Sequence, residues 1–326
     1  MTAILILGAT GFIGGHIARL ALSEGWQVRG LRRGPGAAGA LTGAGIDWFE
    51  GDLDRAQGPA SAFEGVDIVF HAAGFYPTGG ERSPGATARG VAQTRHVLEA
   101  CRRARVPRLV YTSTLTTIGA PGPGEGRLAD ERDHYLPGSL PGSAYYESKY
   151  AMESEVLRSA SAWTVVLNPT AVLGPGDVHL SLARVVLAAA RGQMRFWLPV
   201  TTNVVDVRDV AADHLRAASL GRPGERTILG GHNVTVRELL ERVARLTGRR
   251  PPRWELSPRA LEAAARLASL VPGLAGGTGH LRAVRRWQGY DTSKARRELG
   301  STARPLEETL RDTLEWLEAS GYRWRP

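Results

Sequence analysis

Residues 3–15, AILILGATGFIGG, decide how the rest of the chain is read. Apolar residues run up to Gly8, glycines recur at Gly11 and Gly14, and a helical spacing of apolar residues begins at Ile13, Ile17 and Leu20. That order predicts a strand, a tight turn and a helix. Such a turn leaves backbone N–H groups at the helix start facing outward, where the helix dipole favours a pyrophosphate. Gly8 and Gly11 let the backbone turn and approach phosphates with no Cβ in the way, and Gly14 lets the helix pack close to the sheet. The spacing is G-x-x-G-x-x-G rather than the G-x-G-x-x-G dinucleotide fingerprint, in a chain with 40 glycines. Taken alone it also suits a turn that binds nothing.

A chain of 326 residues suffices for one large domain or two ordinary ones, with a core that needs no disulfide. Its single cysteine, Cys101, lies in a helical pattern with Val97 and Leu98, which fits a reducing, cytoplasmic location. No charged-then-apolar leader precedes the first strand. The run Ala260 to Leu274 is interrupted by Glu262, Arg266 and Pro272, so a soluble protein without a membrane span is expected. The formal charge of +9 comes from arginines spread along the chain rather than a basic tail. This argues against nucleic acid and suits anionic small ligands such as phosphorylated cofactors. Only two of the 41 basic residues are lysines, Lys149 and Lys294. A lysine at a chemically meaningful spacing is therefore informative.

Gln27 to Leu31 predicts a second strand, ending in Arg32 and Arg33. A carboxylate there would bind a ribose 2′-hydroxyl, whereas an arginine accommodates a 2′-phosphate. Ile46 to Phe49 predicts a third strand, followed by Asp52, which is placed to reach an adenine amino group or to cap a helix. Val66 to Ala73 reads as a buried parallel strand closed by Gly74. A helix over about 86–105 leads to a strand at Arg108 to Thr112, with Ser113 and Thr114 at its carboxyl end, the edge where open α/β sheets bind ligands. Residues 119–143 read as a long Pro/Gly-rich loop, functional or mobile. A helix then opens near Ser143 and carries Tyr145 and Lys149 one turn apart. Trp163 to Leu167 predicts the next strand, ending in Asn168 and Pro169.

This alternation predicts an α/β fold, a doubly wound parallel sheet. Beyond Thr170, helices are expected over 181–191, 210–219 and 236–246, the last capped by Thr235, with strands at 203–207 and 226–229. The 203–207 strand is expected to return to the main sheet. Residues 1–169 plus 203–229 are read as the dinucleotide-binding domain, and 170–202 plus 230–326 as a smaller, mostly helical substrate lobe.

A phenol is a poor base at neutral pH, but a nearby cation favours the phenolate. Lys149, one turn from Tyr145, is suited to that task and to holding a ribose, where arginine's planar fork would fit less well. With a hydroxyl from Thr114 or Ser113 to hold a substrate oxygen, these residues can move a proton while a nicotinamide moves a hydride.

The segments GATGFIG (8–14), GDL (51–53), HAAG (71–74), YTST (111–114), YYESK (145–149) and NPTAVLGP (168–175) together resemble the extended short-chain dehydrogenase/reductase, or NAD-dependent epimerase/dehydratase, superfamily. Later segments, NVVDVRDVA (203–211), ILGGHNVTVRELL (228–240) and SKARRELG (293–300), are similar to its dihydroflavonol-reductase-like branch, above all the hopanoid-associated sugar epimerase group. The resemblance implies a Rossmann domain with Tyr145 as general acid/base, Lys149 as its activator and ribose anchor, and Thr114, with Ser113 beside it, polarising the substrate. It implies cofactor contacts at Gly8, Thr10, Gly11, Phe12, Ile13, Gly14, Arg32, Arg33, Asp52, Leu53, Ala72, Ala73, Gly74, Tyr145, Lys149, Asn168 and Pro169. Arg32 stands where NAD-preferring epimerases carry aspartate, so the expected cofactor is NADP, with NAD as the alternative. The family's N-V-x-G-T helix pattern is broken here by Gly90, Ala92 and Gln93. Val207, Arg208 and Asp209 stand where VDD is common.

Three functions are compatible: an NADPH-dependent carbonyl reductase or alcohol dehydrogenase, a sugar or nucleotide-sugar epimerase/dehydratase, and a non-catalytic dinucleotide-binding regulator. The first leads and the second follows; Thr114, Tyr145 and Lys149 argue against the third, because a sensor needs only the glycine turn. Arg184, Arg191, Arg208 and Arg282 are candidates to hold a diphosphate, and Phe75, Tyr76, Phe196 and Trp197 to line an apolar pocket. A small-molecule substrate is expected, no metal, and a homodimer is an open alternative to the monomer.

Overall fold

The computed structural model describes residues 1–34, 41, 43–55, 60–77, 83–140, 143–160, 162–257, 260 and 286–324. Arg282 and most of the Ala260 to Leu274 run lie outside them. In chain order the first half gives β1 (Ala3–Leu7), α1 (Phe12–Ser23), β2 (Gln27–Arg32), β3 (Asp47–Glu50), α2 (Ala60–Phe63), β4 (Ile68–His71), α3 (Ser83–Arg103), β5 (Arg108–Thr112), α4 (Ala144–Ala160) and β6 (Thr164–Pro169). There follow β7 (Ala171–Leu173), α5 (Ala183–Ala190), β8 (Phe196–Trp197), β9 (Thr201–Asp206), α6 (Val207–Leu220), β10 (Arg226–Leu229), β11 (His232–Thr235), α7 (Val236–Thr247), β12 (Trp254–Glu255), α8 (Ser293–Leu299) and α9 (Leu306–Ala319). No helix among the described residues is long and apolar enough to cross a membrane.

Seven strands form one parallel sheet in the order β10-β6-β5-β4-β1-β2-β3. Successive side chains of a strand face opposite sides of the sheet. Ile4 and Ile6 accordingly join Ile17, Ala18 and Val210 beneath α1 and α6, while Leu5 and Leu7 join Val97, Leu98 and Cys101 beneath α3. Both faces are covered, which is why the strands read as continuous apolar runs. The order reverses between β1 and β4, and the crevice at that switch point lies at the carboxyl ends of the strands.

The segment at 203–207 is a strand, β9, but it does not return to the main sheet. It pairs antiparallel with β11 and parallel with β7 in a separate three-stranded sheet. β10 alone supplies the outer strand of the large sheet after β6. Leu173, Val204 and Val234 of the small sheet pack with Val186 and Leu187 of α5, Leu240 and Val243 of α7, and Leu310 and Leu314 of α9. Helix α7 starts where expected: Thr235 and Glu238 form a capping box, and Gly248 closes the helix in the left-handed conformation.

Gly90 does not break α3. A Cβ there would lie 2.9 Å from Met152 Sδ and 3.2 Å from Phe75 Cδ1, so the missing side chain is what lets α3 pack on α4. Gln93 Nε2 donates to Asp54 Oδ1 (2.7 Å), which Arg89 also holds, and this ties α3 to the loop after β3.

His71 and His214 are both buried, and burial lowers them, His71 to about 3 and His214 to about 4, from 6.5. The unfolded chain therefore binds protons that the folded one refuses, so their stabilising effect is complete above pH 6.5 and is lost as pH falls toward those values. Between pH 7 and pH 5 the urea midpoint should drop by the equivalent of roughly 2 kcal/mol per histidine. A flat midpoint over that window would count against this reading.

Candidate active site

The chain leaves β1 at Gly8, whose φ of +89° favours glycine. A Cβ on Gly8 would lie 2.7–2.9 Å from the backbone of Ala72 and Ala73, and one on Gly14 only 2.2 Å from Gly8 O. The turn, α1 and the segment after β4 therefore close on one another with no room for side chains. Helix α1 begins at Gly11 with no side-chain cap and no acidic residue in its first turn. Its free N–H groups and positive dipole end make a cradle that fits a dinucleotide pyrophosphate. Thr10 is exposed on this turn, Ile13 packs on the core, and Phe12 meets His16 edge-on.

At the end of β2, Arg32 lies over the ring of Trp48 (5.7 Å) and 3.7 Å from Glu50. Gly30 makes this possible, since a Cβ there would stand 2.6 Å from the Trp48 ring. Arg33 is exposed. Asp52 Oδ1 accepts from Asp54 N (3.1 Å), Leu53 packs against the α3-side core, and Leu53 O is 3.0 Å from His96 Nδ1.

Helix α4 brings the catalytic candidates to the carboxyl edge of β4 and β5. The Tyr145 hydroxyl is within hydrogen-bonding reach of the hydroxyls of Thr114 and Tyr76. Ser113 is buried, and its Oγ has no hydrogen-bond partner among the described residues. Thr114 Oγ1 also accepts from Thr116 N (3.4 Å) at the start of a single 3₁₀ turn, Leu115–Thr117. Lys149 is buried, with Nζ over the faces of Tyr76 (4.6 Å) and Tyr145 (5.6 Å). Gly74 is exposed but needs its lack of a Cβ, which would meet Lys149 Nζ at 2.5 Å.

The electrostatics differ from the sequence-based expectation. Burial pushes Tyr145 well above 10, with Tyr76 adding to the rise, and burial lowers Lys149 to about 8. The ammonium lies over the face of the phenol ring, and the net shift of Tyr145 is upward, so it does not offset the cost of a buried phenolate. Tyr145 is therefore held as a proton donor.

Behind these residues is a buried polar network that the sequence reading missed. Glu153, one turn beyond Lys149, pairs with Arg226 of β10 at 3.0 Å, both side chains being at most 5% exposed. Thr117 Oγ1 (2.8 Å) and Asn168 Nδ2 (2.6 Å) donate to the other Glu153 oxygen, and Asn168 Nδ2 reaches Thr114 O (3.3 Å). Arg226 also donates to Thr117 O (2.9 Å) and to the carbonyls of Glu131 and Asp133. The long loop is thus tied to the sheet, and a second cluster, Arg127 on Asp133 (2.7 Å), braces it from outside. Asn168 is fully buried with its Nδ2 engaged beneath Thr114 and its Oδ1 without a hydrogen-bond partner among the described residues, and Pro169 is buried beside it, paired with Leu229. The one signal for Glu153 was its position on the Tyr145–Lys149 helix face.

The remaining candidates are spread out. Arg208 is engaged by Asp206 (2.7 Å) and Asp312 (2.6 Å), Arg191 donates to Arg323 O (2.9 Å), and Arg184 is exposed on α5. Phe75 is buried with Met152 and Tyr111, Phe196 is exposed on β8, and Trp197 lies under Arg237 (5.4 Å). Only Tyr76 of the four aromatics is beside Tyr145. A cavity of about 580 Å³ lined by His232, Asn233, Arg242 and Glu307 contains none of the candidate site residues, and its guanidinium is paired with Glu307 at 3.0 Å. No cluster of His, Cys, Asp or Glu among the described residues is arranged to hold a metal ion.

Residues 4–230 match the NAD dependent epimerase/dehydratase family. The chain is 31% identical to a putative dihydroflavonol 4-reductase from Synechocystis, over 97% of this chain and 95% of that one. Among solved structures it is similar to a nucleoside-diphosphate-sugar epimerase from Pseudomonas aeruginosa (TM-score 0.83, 28% identity, 98% and 99% of the two chains). It is also similar to MoeE5 in complex with UDP-glucose and NAD (TM-score 0.73, 26% identity, 98% and 99% covered). Similarity over nearly the whole length to reductases and epimerases, on a Rossmann sheet with a glycine cradle, identifies an enzyme that uses a nicotinamide dinucleotide. The chain belongs to the NAD dependent epimerase/dehydratase family, the extended short-chain dehydrogenases/reductases.

Proposed function

We propose that this enzyme is an NADPH-dependent reductase of uncharged carbonyl compounds, with Tyr145 as the general acid. The observation that carries the reading is Tyr145 on α4 stacked on Tyr76 (5.4 Å), with Lys149 buried one turn away and its Nζ over both rings. In reduction the carbonyl carbon receives hydride and its oxygen a proton; the dinucleotide supplies the hydride when bound. Tyr145 gives the proton, Thr114 Oγ1 holds the same oxygen, and Lys149 anchors the ribose. The pyrophosphate is held by the Gly8–Gly14 turn. The seven-stranded sheet with its helices serves as the dinucleotide unit, and the small sheet with α5, α7 and α9 as the substrate lobe.

Arg208 and Arg191 are already engaged, which favours an uncharged substrate over one that carries a diphosphate. A nucleotide-sugar epimerase is the second reading, favoured by the similarity to MoeE5 and to the Pseudomonas epimerase. Purified enzyme assayed for NADPH oxidation against a carbonyl panel, alongside nucleotide-sugar epimerisation, separates them. Net NADPH consumption supports the reductase, and a changed sugar with no net consumption supports the epimerase.

The preference for NADP rests on Arg32, set by Trp48 at the end of β2. Arg32→Ala should weaken NADPH binding by roughly 1.5–3 kcal/mol and leave NADH binding unchanged, as read by calorimetry. Equal losses for both dinucleotides would remove the argument.

A further inference from the structure

We propose that Tyr76 is the substrate-contacting wall of this site and selects carbonyl compounds whose reacting group is attached to a flat ring. This deepens the reductase reading and rests on it. Tyr76 follows β4 and lies nearly parallel to Tyr145, with ring centroids 5.4 Å apart and planes 19° apart. Its ring also covers Lys149 Nζ at 4.6 Å, and its edge reaches the space beside Gly74, 3.3 Å from where a Cβ would stand. Two contacts therefore hold the ring above the space that Gly74 leaves free, and yet the residue is 67% exposed. The open face is a flat apolar surface standing next to the proton donor.

A flat ring placed on that face gains the offset stacking that aromatic pairs favour, and the cation beneath Tyr76 enriches the interaction. A carbonyl attached to such a ring is carried to the Tyr145 hydroxyl. The Tyr76 oxygen contributes separately. The Tyr145 hydroxyl is in hydrogen-bonding reach of it, and desolvation at this phenol end, unlike the open ring face, raises Tyr76 above 10. An arriving carbonyl oxygen replaces Tyr76 as the acceptor of the Tyr145 proton, so the donor is never left unsatisfied. The neighbouring tyrosines, Tyr146 edge-on to Tyr145 at 6.2 Å and Tyr135 behind it, leave this side of the site aromatic.

The test compares acetophenone with 2-octanone, which have equal carbon number, in the parent, Tyr76→Phe and Tyr76→Ala. Binding to the NADPH-loaded protein is followed by ligand-observed NMR, and turnover by NADPH oxidation. The parent and Tyr76→Phe should prefer acetophenone about tenfold. Tyr76→Ala should lose most of that preference through KM, with NADPH affinity unchanged within about twofold. If Tyr76→Ala keeps the parent's preference, or if its main effect is tighter NADPH binding, Tyr76 is not a substrate wall and the proposal fails. The binding arm needs no turnover: a preference lost in Tyr76→Ala without NADPH oxidation upholds the wall while the reductase reading falls.

Discussion

Tyr145→Phe should fold, bind NADPH as tightly as the parent and reduce carbonyl substrate about 10²- to 10⁴-fold more slowly. The substitution removes one oxygen and leaves the ring stacked on Tyr76 and edge-on to Tyr146. What it deletes is the proton that burial and Tyr76 help to hold. Lys149→Arg should keep the charge and lose much of the activity, because the larger planar fork cannot replace a compact ammonium packed against Gly74 and beside the ribose. The double variant should be little worse than either single one if the two residues act as a unit. Near-normal turnover of Tyr145→Phe on a verified substrate would overturn the assignment.

Glu153→Ala should destabilise the protein by about 3–5 kcal/mol, since it strands the buried Arg226 guanidinium and removes the acceptor of Thr117 and Asn168. Glu153→Gln keeps the shape and one acceptor oxygen, so it should fold and allow kinetics to be read. Its kcat should fall while the KM for NADPH holds, because Thr114 loses its brace and the glycine turn is untouched. Chemical denaturation of both variants, beside initial rates for Glu153→Gln, checks this. A loss under about 1 kcal/mol for Glu153→Ala would mean that Arg226 has another counter-charge within reach.

Much of this architecture was legible in local signals. Continuous apolar runs marked strands buried on both faces, and Thr235 followed by Glu238 marked the start of α7. Tyr145 and Lys149 could be paired because one helical turn is a local distance. What could not be read depends on how distant segments dock. Whether β9 adds to the large sheet or to a small one is decided by β7 and β11, not by the residues of β9. Arg226 and Glu153 meet only once β10 lies beside β6, so neither stood out as one half of a pair. The loop at 119–143, read as functional or mobile from its prolines and glycines, is pinned by Arg226 and Arg127, which composition does not reveal. The direction of the Tyr145 shift was misjudged for a similar reason: one-turn spacing fixes that Lys149 is near, but not whether its ammonium faces the oxygen or the ring.

Lys149 couples the enzyme's fold to its ligand through protons. Its value near 8 lies below the 10.5 of an unburied lysine. Between those values the unfolded chain carries a proton that the folded one lacks, so stability rises with pH across the window, and below pH 8 the folded protein bears the whole cost, about 3 kcal/mol. On the proposed reading, in which the dinucleotide binds beside this ammonium, its negative charge would favour the charged form and relieve part of that cost. Binding near pH 8 is then accompanied by proton uptake from the buffer, and the dinucleotide acts as a counter-ion that completes the folded state as well as a reactant.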